Sequence, residues 1–183
     1  VMTLRGELTW RDAIAYVLVQ CLAAFAGVAI AHGMFELPVF FASQHARTGL
    51  SQWLGEVVAT FGLLMVILGC ATHRASAVPY AVGAYIAGAY WFTSSTSFAN
   101  PAVTLARAAT DTFAGIRPDD VPAFIVAQLA GALLAMLVMR GLLTDRTSGN
   151  LQILFLKRLD NHVRGDTQKG HLVGIKPRPH RVV

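Results

Sequence analysis

Residues 97–107 read Ser-Phe-Ala-Asn-Pro-Ala-Val-Thr-Leu-Ala-Arg, and they close the least charged part of the chain. From Ala75 to Ala106 there is no Asp, Glu, Lys or Arg. A bilayer-spanning helix needs about 20 apolar residues, so this stretch is too long for one straight span. Asn100-Pro101 breaks it. Asn is a favoured N-cap and Pro a favoured first helical residue, so the pair also starts a new helix. The run VTLARAATDTFAGI, from Val103 on, suffices for a short helix that ends near Gly115, before Asp120. A short apolar helix after a break, set between two spans, reads as a re-entrant segment. Such backbone survives at membrane depth only when buried in protein or lining a watery cavity.

Outward from this stretch the chain keeps the same character. It has 183 residues, 55% hydrophobic and only 14% charged, against about 25% charged in a typical soluble domain. Four apolar segments are long enough to span: Asp12 to His32, Gln52 to Thr72, Ala77 to Ser97 and Val121 to Leu142. The fold class these segments imply is an all-α integral membrane bundle over residues 1–142, with four transmembrane helices and one re-entrant half-helix starting at Asn100. Residues 143–183 have another composition, with Lys157, Arg158, Arg164, Lys169, Lys176, Arg178 and Arg181 among their basic residues. They read as a disordered cytoplasmic tail, with a surface helix from Leu151 to Leu159 or a readthrough end as alternatives. The net charge of +5 comes largely from that tail and implies no nucleic-acid groove. Cys21 and Cys70 fall inside apolar runs and read as small buried hydrophobes. His32, His45 and His73 lie near span ends or loops without metal-ligand spacing; neither a metal nor a cofactor is expected. The chain begins at Val1 with no basic n-region ahead of a short apolar core, and this abrupt start reads as a fragment or truncated reading frame.

Small residues recur at four-residue spacing: Ala23 and Gly27, Gly55 and Ala59, and Ala127, Gly131 and Ala135. They suit close helix approach, or simply the tight packing of any polytopic protein. The run Asp12 to Gln20 parallels Asp120 to Gln128, which suggests two structural repeats. The first and fourth segments are then equivalent, and the partners of the elements between them would precede the first segment. Placing the N-terminus inside puts Arg5, Arg11, His73, Arg74, Arg140 and the tail on the cytoplasmic side, as the positive-inside rule favours. Asp119 and Asp120 read as caps of the fourth span, reinforced by Pro122.

The chemistry concentrates at Asn100-Pro101-Ala102. The Asn side-chain oxygen can accept a backbone N–H of the short helix, leaving its NH₂ as a fixed outward donor. With the helix N-terminus behind it, this is a weakly positive, donor-rich point that suits a water or hydroxyl oxygen and opposes a cation. SFANPAVTLARAATDTFAG, followed by PAFIVAQLAGA, resembles the second signature loop and last span of the aquaporin, or major intrinsic protein, family. Gly55-Glu56-Val57-Val58-Ala59-Thr60-Phe61 is similar to the start of that family's fourth span, and Val78-Pro79-Tyr80 is compatible with its fifth. The resemblance covers about residues 3–142, a partial six-span fold in which one of the two Asn-Pro-Ala half-helices is present.

The resemblance implies a passive channel in the lipid bilayer for water and small neutral solutes. It also implies a multi-pass place in a bacterial inner membrane and, in the full-length protein, a homotetramer. Glu56, the one acid inside a span, would accept N–H groups of the loop before Asn100 and turn its carbonyls toward the pore; the alternative is a protonated packing residue. Gln20 and Gln128 would bridge spans and half-helix loops, or make ordinary interhelical bonds. The filter positions carry over as Gly88, Ser97 and Val103. Most members have Arg where this chain has Val103, and water-only pores have His where it has Gly88, so the constriction should be wider and less polar. That widening favours glycerol, urea and neutral metalloid hydroxides. Arg107, one turn past Val103, either faces the outer vestibule or, the preferred reading, snorkels or bonds loop carbonyls. Two other functions stand against the channel. One is a non-conducting fragment of such a channel. The other is an integral-membrane enzyme, which would need a nucleophile, paired carboxylates or metal ligands at one depth.

Overall fold

A computed structural model describes residues 1–142; the expectations for residues 143–183 lie outside the described residues. Residues Val1–Met139 form one compact unit, and the helices named here are numbered in chain order. Helix α1 runs Trp10–Met34, α2 Leu50–His73, α3 Val78–Phe92 and the short α4 Pro101–Arg107. The last helix, α5, covers Pro118–Leu142, its first turn a 3-10 turn over Pro118–Asp120. The fold is therefore all-helical among the described residues.

Local chemistry sets most boundaries. Thr9 caps α1 by accepting the Asp12 N–H, and Asp12 adds a favourable charge to the first turn. Gly49 precedes α2 at φ +108°, which a side chain would strain. Pro79 sits in the first turn of α3, after a 3-10 turn at Ala75–Ala77. Helix α3 stops at Phe92, short of the predicted Ser97: Thr93 turns to extended backbone, φ −100° and ψ 139°, and Ser94 Oγ donates to Ser51 O of α2 at 2.6 Å.

Among the described residues three helices, α1, α2 and α5, are long and apolar enough to cross a membrane. Helix α3 has 15 residues, about 22 Å of rise, shorter than the hydrocarbon core of about 30 Å. The half-helix is also shorter than predicted. It begins after Asn100 but ends at Arg107, not near Gly115. There tertiary bonds replace the helical ladder: Ile116 N donates to Arg107 O, and Thr110 Oγ1 pairs with His32 on α1.

Helix α2 packs on α3, and α1 packs on α4. Helix α5 approaches α2 through Gly131, where an added Cβ would lie 2.5 Å from Val57 O. Ala127 and Ala135 beside it are buried, as is Ala59 on α2. The Ala23–Gly27 stripe of α1 behaves differently: a Cβ at Gly27 would meet nothing within 4 Å. The best-packed apolar cluster is Phe98, Ile116, Val121 and Phe124, flanked by Trp53, Ala108 and Ile125. It lies beside the half-helix and holds both loops that flank it.

Candidate functional site

The segment between α3 and α4 is held in a shape it would not take alone. Thr96, Ser97 and Ala99 have φ of +59°, +50° and +49°, left-handed values that cost each non-glycine residue of order 1–3 kcal/mol. Glu56, fully buried on α2, compensates. Its Oε1 accepts the Phe98 N–H at 2.9 Å and its Oε2 the Ala99 N–H at 2.9 Å. Gln128 on α5 donates its amide to the same Oε2 at 2.6 Å and to Thr104 Oγ1 of α4 at 2.8 Å. The two carboxyl oxygens thus face three donors and no acceptor, and one side chain ties α2, α5 and the loop.

Asn100 has extended backbone, φ −154° and ψ 122°, and caps α4: its Oδ1 accepts the Ala102 N–H at 2.8 Å. Its own carbonyl accepts both the Thr104 N–H at 3.0 Å and the Thr104 hydroxyl at 2.9 Å. With the oxygen fixed by the cap, Nδ2 points away from the helix with no partner among the described residues. Asn100 and Pro101 line a cavity of about 380 Å³ with Gln20, Thr60 and Gln128 on its wall. Gln20 is exposed on α1, and its side chain makes no hydrogen bond among the described residues.

A second cavity, about 700 Å³, lies between α1 and α4. Helix α1 contributes Ala24, Gly27, Val28, Ala31 and His32; the α4 side contributes Val103, Ala106, Arg107 and Thr110. Both sets follow the i, i+3, i+4, i+7 spacing of one helix face. His32 is buried, with Nδ1 2.8 Å from Val39 O and Nε2 2.7 Å from Thr110 Oγ1. A carbonyl can only accept, so the network assigns the proton to Nδ1 and has Thr110 donate to Nε2. Phe41 lies against the imidazole, centroids 5.0 Å apart. Composition and spacing alone made His32 look inert; its partners are 7 and 78 residues away.

The residue that sequence reasoning missed is Arg47, in the loop between α1 and α2. It is 3% exposed. Its Nε donates to Gly115 O at 2.7 Å, Nη1 to Ser95 O at 3.1 Å and Nη2 to Phe113 O at 2.8 Å. Its backbone N–H donates to Asp120 Oδ2 at 2.8 Å. Asp120, predicted as a cap, is instead shared between Arg47 and Arg117, whose Nη2 donates to Oδ1 at 3.1 Å. Burial, then the nearby Arg107 charge, lowers the Arg47 pKa from its ordinary value, yet a guanidinium stays charged at any physiological pH. Both arginines face the Phe98 ring, Arg47 Cζ 4.9 Å and Arg107 Cζ 4.2 Å from its centroid. The reading preferred from sequence has Arg107 snorkel or bond loop carbonyls; its guanidinium donates to no loop carbonyl among the described residues. That task falls to Arg47.

The three filter positions are not brought onto one wall. Val103 lines the larger cavity. Ser97 is buried, its hydroxyl without a partner among the described residues. Gly88 is exposed on α3, its nearest neighbour the Phe92 ring, and lies on neither cavity. No group of three His, Cys, Asp or Glu side chains is placed to hold a metal among the described residues.

Comparison with known proteins adds three findings. The profile described as MIP, Major intrinsic protein, matches residues 71–168. Aquaglyceroporin AqpS of Rhizobium meliloti (strain 1021) is 55% identical over 143 residues, 78% of this chain and 61% of that protein, so the chain spans less than two thirds of that relative. No solved structure matches the chain significantly.

Proposed function

The chain belongs to the major intrinsic protein family, and on that premise we propose that the full-length protein is a passive channel for water and small uncharged solutes. The observation that carries this reading is Asn100. Its oxygen is committed to the Ala102 N–H, so its NH₂ is a fixed donor on a cavity wall. The loop that aims it is locked by Glu56. A preset donor beside a helix start suits a hydroxyl or water oxygen and repels a cation. The membrane location follows from the family and the three apolar helices; a multi-pass inner-membrane placement and a homotetramer are part of the proposal.

The solute class is read from what is missing. Val103 stands on the larger of the two cavities, not the one Asn100 lines, at a position where most members have Arg. Gly88, on neither cavity of this chain, is assigned to the filter by resemblance alone, in place of a bulky His. The similarity to a protein named an aquaglyceroporin supports the same direction. Without those side chains the passage is wider, and a less polar solute loses less on leaving water. Glycerol, urea and neutral metalloid hydroxides are the proposed cargo, beside water.

The test is light-scattering uptake by proteoliposomes of the full-length protein, with Val103→Arg and Gly88→His beside it. Glycerol and urea should enter, and each substitution should cut their entry more than that of water. Water flux with no entry of glycerol, urea or arsenous acid would refute the solute class, as would substitutions without effect. A full-length preparation that passes neither water nor solute would refute the channel reading; the non-conducting-fragment reading is tested on the 183-residue chain alone, which should then pass nothing.

A further inference from the structure

Arg47 and Arg107 share the Phe98 ring but differ in what their guanidinium groups do. All three nitrogens of the Arg47 guanidinium donate to loop carbonyls. Its donors are spent on structure. The Arg107 guanidinium donates to none of the described residues, and its Nη1 is buried without a partner. An unpaired charged donor is costly to bury, so the arrangement calls for a reason. Its position is nonetheless defined. The cation stacks on Phe98, which is 3% exposed and braced edge-on by Phe124 at 5.3 Å.

Arg107 also lies on the helix face of Val103. Residues 103, 106, 107 and 110 all line the larger cavity, so the Arg107 side chain stands one turn along from the uncharged filter position, on the same wall. Facing it across the cavity, α1 offers small apolar residues and His32 and no carboxylate; the carboxylate that acts on Arg107 is Glu56, which is buried and already bonded to the Phe98 and Ala99 N–H groups.

We infer that Arg107 is the cation-excluding residue of this path, displaced by one helical turn from Val103. This rests on the channel reading above. A fixed positive charge beside a passage walled mostly by apolar side chains is poorly screened and repels hydronium and metal ions. An uncharged hydroxylic solute meets the same group only as a hydrogen-bond donor. An arginine at position 103 would narrow the passage and repel cations at one point. Here the two effects separate: Val103 leaves width, and Arg107 supplies charge one helical turn away on the same cavity. Phe98, fixed by the Glu56 bond to its N–H, sets where that charge sits.

The experiment measures two fluxes on the same proteoliposomes of full-length protein. Glycerol entry is followed by light scattering, and proton entry by a trapped pH dye under a potassium diffusion potential. Arg107→Met and Arg107→Gln should raise the proton-to-glycerol ratio by about tenfold or more, as expected for losing a unit charge within about 10 Å of the path at an effective dielectric constant of about 20. Arg107→Lys should stay near the starting ratio, and Val103→Arg added to Arg107→Met should bring it back down. An unchanged ratio in both neutral variants overturns the inference and leaves the channel reading standing. If both neutral variants lose glycerol flux and folding while Arg107→Lys keeps them, the charge is structural and the inference also falls. No glycerol flux from the unmodified protein refutes the channel reading itself.

Discussion

Replacing Glu56 by Gln keeps the side chain's shape and exchanges one oxygen for an NH₂. Three donors now meet one acceptor. The better orientation places the amide oxygen where Oε2 was, keeping the Ala99 N–H at 2.9 Å and the Gln128 amide at 2.6 Å. The new NH₂ then faces the Phe98 N–H, whose 2.9 Å bond is lost. Losing a hydrogen bond to a charged acceptor costs about 1.5–3 kcal/mol, and the two survivors fall to roughly half strength. An amide is cheaper to bury than a carboxylate, which offsets part of this. The net cost is roughly 2–4 kcal/mol, and it falls on a loop with three left-handed non-glycine residues. In a chain of this size that corresponds to a drop of about 5–15 °C in thermal midpoint. Circular dichroism melting in detergent measures it, and protease cleavage between Thr93 and Asn100 should appear at lower temperature in the variant. A midpoint within error of the parent, with the loop equally resistant and glycerol flux unchanged, would show that Glu56 does not hold the loop.

Three further outcomes rest on the same contacts. Arg47→Met keeps the aliphatic stem but strands three carbonyls, those of Gly115, Ser95 and Phe113; the loss should be roughly 3–5 kcal/mol in denaturant titration, with Arg47→Lys intermediate because an ammonium cannot reach all three. His32→Ala removes the bridge between Val39 O and Thr110 Oγ1, for a cost of about 1–3 kcal/mol and faster amide exchange at residues 108–112. Gly131→Leu forces α5 away from Val57 O and should cost about 1–3 kcal/mol or more, whereas Gly69→Ala, with open space around its Cβ, should be neutral or stabilising by about 0.5–1 kcal/mol.

How much of this was legible depends on how local each cause is. The break at Asn100-Pro101 is written in adjacent residues, and the cap forms from an oxygen two residues from its donor. Glu56 stands out because an acid in an apolar run is rare, though only the structure shows which N–H groups it meets. The end of the half-helix was not legible: Ala108-Ala109 favours continuing a helix, and the bonds that stop it come from His32 and Arg47, far away in sequence. Arg47 itself carries no local signal, since its side-chain partners lie 48 to 68 residues downstream. The left-handed turns at Thr96, Ser97 and Ala99 are equally hidden, because turns of that hand are normally announced by glycine, and 93–99 contains none.

That missing glycine bears on the order in which the molecule assembles. A glycine-rich turn can preform in an unfolded chain; Thr96-Ser97-Phe98-Ala99 prefers to be extended and gains its bend only when a carboxylate is waiting. The carboxylate is on α2, and the amide that steadies it is on α5. The bend therefore cannot nucleate folding. It depends on α2 for its two backbone bonds, and the Glu56 anchor gains its third donor from Gln128 where α5 packs on α2 at Gly131. The Asn100 donor, central to the proposed function, therefore takes its aim from contacts far away in sequence and not from its own turn.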